Sequence, residues 1–308
     1  KPENRKASNH NFKRNMNKIL SVALAVLVIS GVTACRNQSY GDVTLNGGGG
    51  SSGSMGNIGG NTDNGNKNDT NTTNTVKDSV IIAIGSEPET LDPTKGWGHG
   101  NSPIIQSTLV KYNAELNFEN DLATGYELSE DGLTWTFTIR DDAFFTDGEK
   151  VTAEDVAFTL ETAKAANGSF DLTYMESAVA QDDTTVVITL SKPTSIFLNT
   201  LASVGIVPEH AYGDDYGTKP IGSGPYKLVE WRPQEQLMFT ANENYYGDVP
   251  EIKNVTVVFM SEDAALAAVQ AGQVDVAYTV ATLATTKVKG YNVKSITSAD
   301  NRGFTLPV

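Results

Sequence analysis

Residues 36–78 decide how much of this 308-residue chain can fold. They are almost wholly Gly, Asn, Ser, Thr and Asp, most extremely at Gly47-Gly48-Gly49-Gly50-Ser51-Ser52-Gly53-Ser54. Such a tract carries too little apolar surface to offset the entropy of ordering a chain, so it is expected to be disordered. A Gly-rich coil of about 43 residues has an end-to-end distance of roughly 33–39 Å, the reach of a tether. Residues 56–60 within it are not a phosphate loop, because no strand precedes them and no Gly-Lys-Ser/Thr follows.

The stretch before the tether reads as an export leader. Lys18 and the basic residues before it are followed by Ile19-Leu20-Ser21-Val22-Ala23-Leu24-Ala25-Val26-Leu27-Val28-Ile29, an apolar run of signal-peptide length. That run is shorter than the roughly 20 residues of a bilayer span. Met16 is the expected start, since residues 1–15 show no pattern. Val32-Thr33-Ala34-Cys35 then resembles the bacterial lipobox, a small-residue stretch before a cysteine. The resemblance implies diacylglycerol on Cys35, cleavage before it and N-acylation. Two or more acyl chains anchor stably where one does not. The alternative is a buried free cysteine after an uncleaved helix. Residues 1–35 are therefore expected to be a signal peptide ending in a lipobox, and residues 36–78 its tether.

Charge and cysteine content exclude several classes. Residues 1–36 carry seven Lys/Arg against Glu3, and the remainder carries sixteen basic against 36 acidic residues. Phosphate backbones attract Lys and Arg, so a body this acidic points away from nucleic acid. One cysteine allows no intrachain disulfide framework and no multi-cysteine metal site, and three histidines leave little for a His-rich centre.

From Ser79 onward the sequence alternates strand and helix signals. Val80-Ile81-Ile82-Ala83-Ile84 is an apolar run of buried-strand length. Gly85-Ser86-Glu87-Pro88-Glu89-Thr90-Leu91-Asp92-Pro93 is rich in turn residues. A short helix is expected over residues 102–109, with Ser102 as N-cap and Pro103 at its first position. Residues 134–140 alternate apolar and polar as a half-buried strand does. Thr152 caps a helix in which Asp155 is the reciprocal carboxylate and Val156, Leu160 and Ala163 share one face around Thr159. Strands are expected over residues 185–190, 226–231, 237–240, 255–259 and 274–278. A helix over residues 263–270 should stop at Gly272. Strands interleaved with helices define the α/β class.

Several of these stretches together are similar to the family 5 extracellular solute-binding proteins, the peptide- and nickel-type receptors of ABC importers. They are the segment from Gly85 to Pro93, the block Leu128-Ser129-Glu130-Asp131-Gly132-Leu133-Thr134-Trp135-Thr136-Phe137, and Phe145-Thr146-Asp147-Gly148-Glu149 with Thr152 to Val156. Downstream follow Pro220-Ile221-Gly222-Ser223-Gly224-Pro225-Tyr226, Asn242-Glu243-Asn244-Tyr245-Tyr246 and Ala271-Gly272-Gln273-Val274-Asp275. The resemblance implies a periplasmic-binding-protein-like fold of type II with two hinged lobes and mixed sheets. On that reading residues 79–278 form the first lobe, residues 279–308 begin the second, and the sequence is a truncated record of a longer chain.

The resemblance also implies where ligand sits. The loop after Leu91-Asp92-Pro93 lines the family's cleft, which places Trp97, Gly98, His99 and Asn101 there; a plain surface turn with a packed Trp is the alternative. Tyr174 faces the cleft or belongs to the core. His99 is a metal ligand only if the cargo is a metal chelate, because one imidazole does not make a site. His210 is expected to open a short exposed helix, Arg140 with Asp141 and Asp142 to be surface charge, and Tyr245 and Tyr246 to pack under a turn. No catalytic residue and no cofactor is assigned. His-Glu-x-x-His is absent and the body holds no Gly-x-Ser-x-Gly.

The expected function is a monomeric substrate-binding lipoprotein, held on the outer face of the cell membrane through Cys35. It would capture oligopeptides, by main-chain pairing with lobe strands, for ABC permease subunits. The alternatives are a receptor for nickel or another chelated metal and, from a different class, a tethered extracytoplasmic hydrolase or adhesin.

Overall fold

The structure, a computed structural model, describes residues 77–98, 103–113, 115–278 and 292. The expectations for the leader, Cys35, the tether up to residue 76, His99, Asn101, Ser102 and nearly all of residues 279–308 lie outside the described residues.

The body opens with β1 (Ser79–Ile84), followed by a hairpin of β2 (Val110–Tyr112) and β3 (Phe118–Asn120). Next come β4 (Ala123–Leu128), β5 (Thr134–Ile139), α1 (Ala153–Ala166), β6 (Met175–Asp182), β7 (Thr185–Leu190) and the short α2 (Phe197–Leu201). The chain then forms β8 (Tyr226–Arg232), β9 (Gln236–Ala241), β10 (Asn254–Phe259), α3 (Glu262–Gln270) and β11 (Val276–Ala277).

Consecutive strands β4 to β7 make an antiparallel sheet in the order β4-β5-β7-β6. Alternation along β5 turns Trp135, Phe137 and Ile139 inward, where they share a core with Val156, Leu160 and Ala163 of α1 and Val186 and Ile188 of β7. α1 starts where Thr152 and Asp155 predict. The Asp155 carboxylate accepts from the Thr152 amide at 2.9 Å and from its hydroxyl at 3.0 Å. Thr159 is polar on this apolar face because it is bonded at both ends. Its hydroxyl donates to the Asp155 carbonyl at 2.6 Å and accepts from the Val207 amide at 3.0 Å.

The second sheet is built from distant parts of the chain in the order β11-β1-β10-β9-β8. β1 is parallel to both neighbours, pairing Ser79 with Asn254 through Ile84 with Phe259 on one side and Ile82 with Val276 on the other. One face buries Val80, Ile82 and Ile84 with Leu237, Phe239, Val255 and Val257. On the other face Ala83 lies under Ala265, Ala268 and Val269 of α3. Gly272, at φ +69°, ends that helix as expected. The strand expected over residues 274–278 is only the two residues of β11.

Residues 103–109 are not a helix, and their backbone bonds show why. The carbonyls of Ile104 and Ile105 accept from the amides of Tyr226 and Gly224, and that of Ser107 accepts from Ile206. The carbonyls of Thr108 and Leu109 accept from Leu122 and Ala123. Strand-like partners far along the chain take groups a helix would need internally, overriding the local Ser-Pro start.

This crossing is possible only for glycine at residues 222 and 224. A Cβ on Gly222 would lie 2.1 Å from the Ile105 carbonyl oxygen, and one on Gly224 would lie 2.7 Å from that of Ile104. Gly222→Ala must displace backbone, so it is expected to cost about 2 kcal/mol. That lowers the thermal midpoint by about 4–8 °C in scanning calorimetry. Gly125→Ala, whose Cβ meets nothing within 4 Å, is expected to leave it unchanged.

Candidate ligand-binding site

The loop that leaves β1 is folded around one carboxylate. Asp92 is fully buried. One of its oxygens accepts from the Thr94 amide at 2.9 Å and the Thr94 hydroxyl at 2.8 Å. The other accepts from the Tyr212 hydroxyl at 2.9 Å and lies 3.3 Å from the Lys95 ammonium. The two hydroxyls are 2.7 Å apart. The Asp92 carbonyl accepts from the amides of Lys95 and Trp97, so side chain and main chain of one residue grip the same turn. Bonding to this carboxylate and its charge hold the Lys95 ammonium above its ordinary pKa.

A second chain of bonds runs from Trp97. Its indole N–H donates to the Gln106 side-chain oxygen at 3.1 Å, and the Gln106 amide group donates to the Leu91 carbonyl and the Tyr216 hydroxyl, each at 3.2 Å. Tyr216 donates in turn to the Ile221 carbonyl at 2.6 Å. The buried polar groups of this loop are thereby satisfied without solvent.

Trp97 has 5% of its surface exposed and packs in the core of the five-stranded sheet, so its indole is a packed ring and not an open face. Gly98, at φ +82°, is buried beside Pro103. Tyr174 is half-buried just before β6, with the Lys192 ammonium 3.8 Å above its ring. Among the described residues no ring contact or hydrogen bond joins Tyr174 to Trp97. Surface hollows of about 330 Å3, beside Pro220 and Trp231, and about 320 Å3, beside Phe158 and Val179, touch neither residue.

The other polar residues singled out from sequence fall elsewhere. His210 sits in a single 3-10 turn, its Nε2 2.8 Å from a carboxylate oxygen of Asp147. Arg140 pairs with Asp142 and also stacks 3.9 Å above the Tyr246 ring. Tyr246 packs against the core of the four-stranded sheet and donates to Asp121 at 2.9 Å. Among the described residues no group of three or more His, Cys, Asp or Glu side chains could hold a metal ion. From sequence, Asp92 is a turn position, Gln106 lies in the expected helix over residues 102–109, and Thr94, Tyr212 and Tyr216 carry no signal of their own. Asp before Pro with Gly four residues on marks the turn, but nothing local announces that Tyr212 bonds Asp92 across 120 positions.

Residues 117–306 match the bacterial extracellular solute-binding proteins, family 5 Middle. Protein XP55 of Streptomyces lividans is 37% identical over 246 residues, which cover 75% of this chain and 45% of that one. The fold is similar to NikZ from Campylobacter jejuni in complex with Ni(L-His), with TM-score 0.64 and 30% identity over 67% of this chain and 44% of the other. It is also similar to the oligopeptide-binding protein AppA from Bacillus subtilis in complex with a nonapeptide, with TM-score 0.60 and 26% identity over 67% and 44%. The chain belongs to the family 5 bacterial extracellular solute-binding proteins. It spans less than half the length of these relatives.

Burial pushes the phenols of Tyr216, Tyr226 and Tyr246 above the ordinary tyrosine range. Below pH of about 10 both folded and unfolded chains keep these phenols protonated and the shift has no effect. Above it only the unfolded chain releases the protons, so stability is expected to fall as pH rises beyond about 10. Absorbance titration at the phenolate band should show three tyrosines that ionise only as the thermal midpoint collapses.

Proposed function

We propose that this chain is the solute receptor of an ABC importer and that its cargo is a short peptide. The observation that carries the proposal is the likeness of the body to AppA, which was solved holding a nonapeptide. An extended peptide offers the same backbone groups whatever its sequence, so recognition through the main chain tolerates varied cargo. Binding would favour a closed arrangement of two lobes over an open one, and only that difference in affinity drives closure. In this reading residues 79–278 are the first lobe, residues 279–308 enter the second, and cargo is met along the loop of Trp97, Gly98, His99 and Asn101, with the Trp97 ring as its buried support, and at Tyr174. The receptor works as a monomer, without a cofactor and without chemistry of its own, and hands its cargo to permease subunits. Cys35 carries the lipid that holds it outside the membrane, and residues 36–78 are the leash.

A second reading, a receptor for chelated nickel, is favoured by the likeness to NikZ with Ni(L-His) and by His99 two positions after Trp97. Titration calorimetry of the full-length protein with a mixed tri- to hexapeptide pool separates the two. Saturable heat is expected. No heat at millimolar peptide, together with retention of a nickel–histidine chelate, overturns the peptide reading. Retention unchanged by His99→Ala removes the metal reading.

A further inference from the structure

Glycines at residues 96 and 98 stand in left-handed conformations, at φ +110° and +82°. Glycine has more backbone freedom than any other residue, so a segment flanked by two of them is shapeless unless something else fixes it. A surface that must meet a ligand loses affinity in proportion to the freedom it surrenders on binding. The fixing element here is Asp92. Its carbonyl takes the amides of Lys95 and Trp97, and its carboxylate takes the amide and hydroxyl of Thr94 and the hydroxyl of Tyr212. Tyr212 belongs to a segment more than a hundred residues away, wedged between the rings of Phe158 and Tyr216 at 5.4 and 5.2 Å. The turn is therefore referenced to the frame of the body and not only to itself.

We infer that Asp92 is a positioning residue, which sets the course of the backbone through Gly96, Trp97 and Gly98 and so prepares that segment for cargo; the inference rests on the solute-receptor reading. Its carboxylate does not touch ligand. It acts through the turn it holds, and Tyr212 acts through it.

The test joins hydrogen exchange with binding on the full-length protein. In Asp92→Asn, amides of residues 94–98 are expected to exchange at least tenfold faster while those of β5 and β7 keep the parent rate. Affinity for the tri- to hexapeptide pool should fall at least tenfold. Tyr212→Phe removes one hydroxyl from the network and keeps the ring, and should weaken binding about threefold. It decides the matter alone if Asp92→Asn does not fold. Ile188→Ala, which opens the core of the other sheet, should lower the thermal midpoint yet leave affinity within twofold of the parent. Unchanged exchange at residues 94–98 overturns the inference, and so does an equal loss of affinity in Ile188→Ala. Faster exchange with unaltered affinity overturns the positioning role alone, whereas a parent protein that binds no peptide overturns the peptide-receptor reading and, with it, the positioning role for that cargo.

Discussion

β1 can be buried only by strands that lie far along the chain. Its neighbours β10 and β11 begin at Asn254 and Val276, and parallel pairing forbids a tight hairpin to either. The chain is pinned on both sides of β1. The Asp78 carbonyl accepts from the amides of Lys253 and Asn254, while the Asp275 amide bonds the Ile81 carbonyl and its carboxylate accepts from the Ile81 amide. The four-stranded sheet, α1 and the Asp92 loop all lie on the excursion between β1 and β10. In open α/β sheets ligands gather beyond the carboxyl ends of parallel strands. The Asp92 loop leaves from that end of β1.

Two buried carboxylates tie the excursion together. Asp92 joins the first loop to Tyr212. Asp121 does the same work elsewhere, accepting from the Thr108 amide, the Lys111 ammonium and the Tyr246 hydroxyl. Its carbonyl accepts from Arg140, whose guanidinium also covers the Tyr246 ring. A buried acid with several donors is costly to leave unpaired, so each cluster holds its segments as a set.

What could be read from the sequence follows from how local each signal is. Alternation in Thr134-Trp135-Thr136-Phe137 and the Thr152 and Asp155 pair are complete within a few residues, and β5 and α1 fall where they indicate. Ser102-Pro103 was equally local and misled, because the carbonyls after it belong to Gly224 and Tyr226. Trp97 among glycines is compatible, in sequence, with a cleft-lining loop and with a surface turn around a packed ring. Its burial depends on Ile104, Ile105 and Gln106, which nothing near Trp97 in sequence reveals. Tyr212 and Tyr216 were invisible for the same reason: their hydroxyls matter only once the fold brings Asp92 and Gln106 to them.

Among the described residues, each rim of the two large sheets is irregular or short. β4, β6 and β8 each carry a register shift, at Ala123/Gly125, at Met175/Ser177 and Ala180/Asp182, and at Leu228/Glu230, while the remaining rim, β11, is two residues long. A straight outer strand invites any extended chain to zip onto it, and kinks of this kind refuse the invitation. An extended segment of another polypeptide, or of a second copy of this chain, therefore finds little straight rim along which to stitch itself.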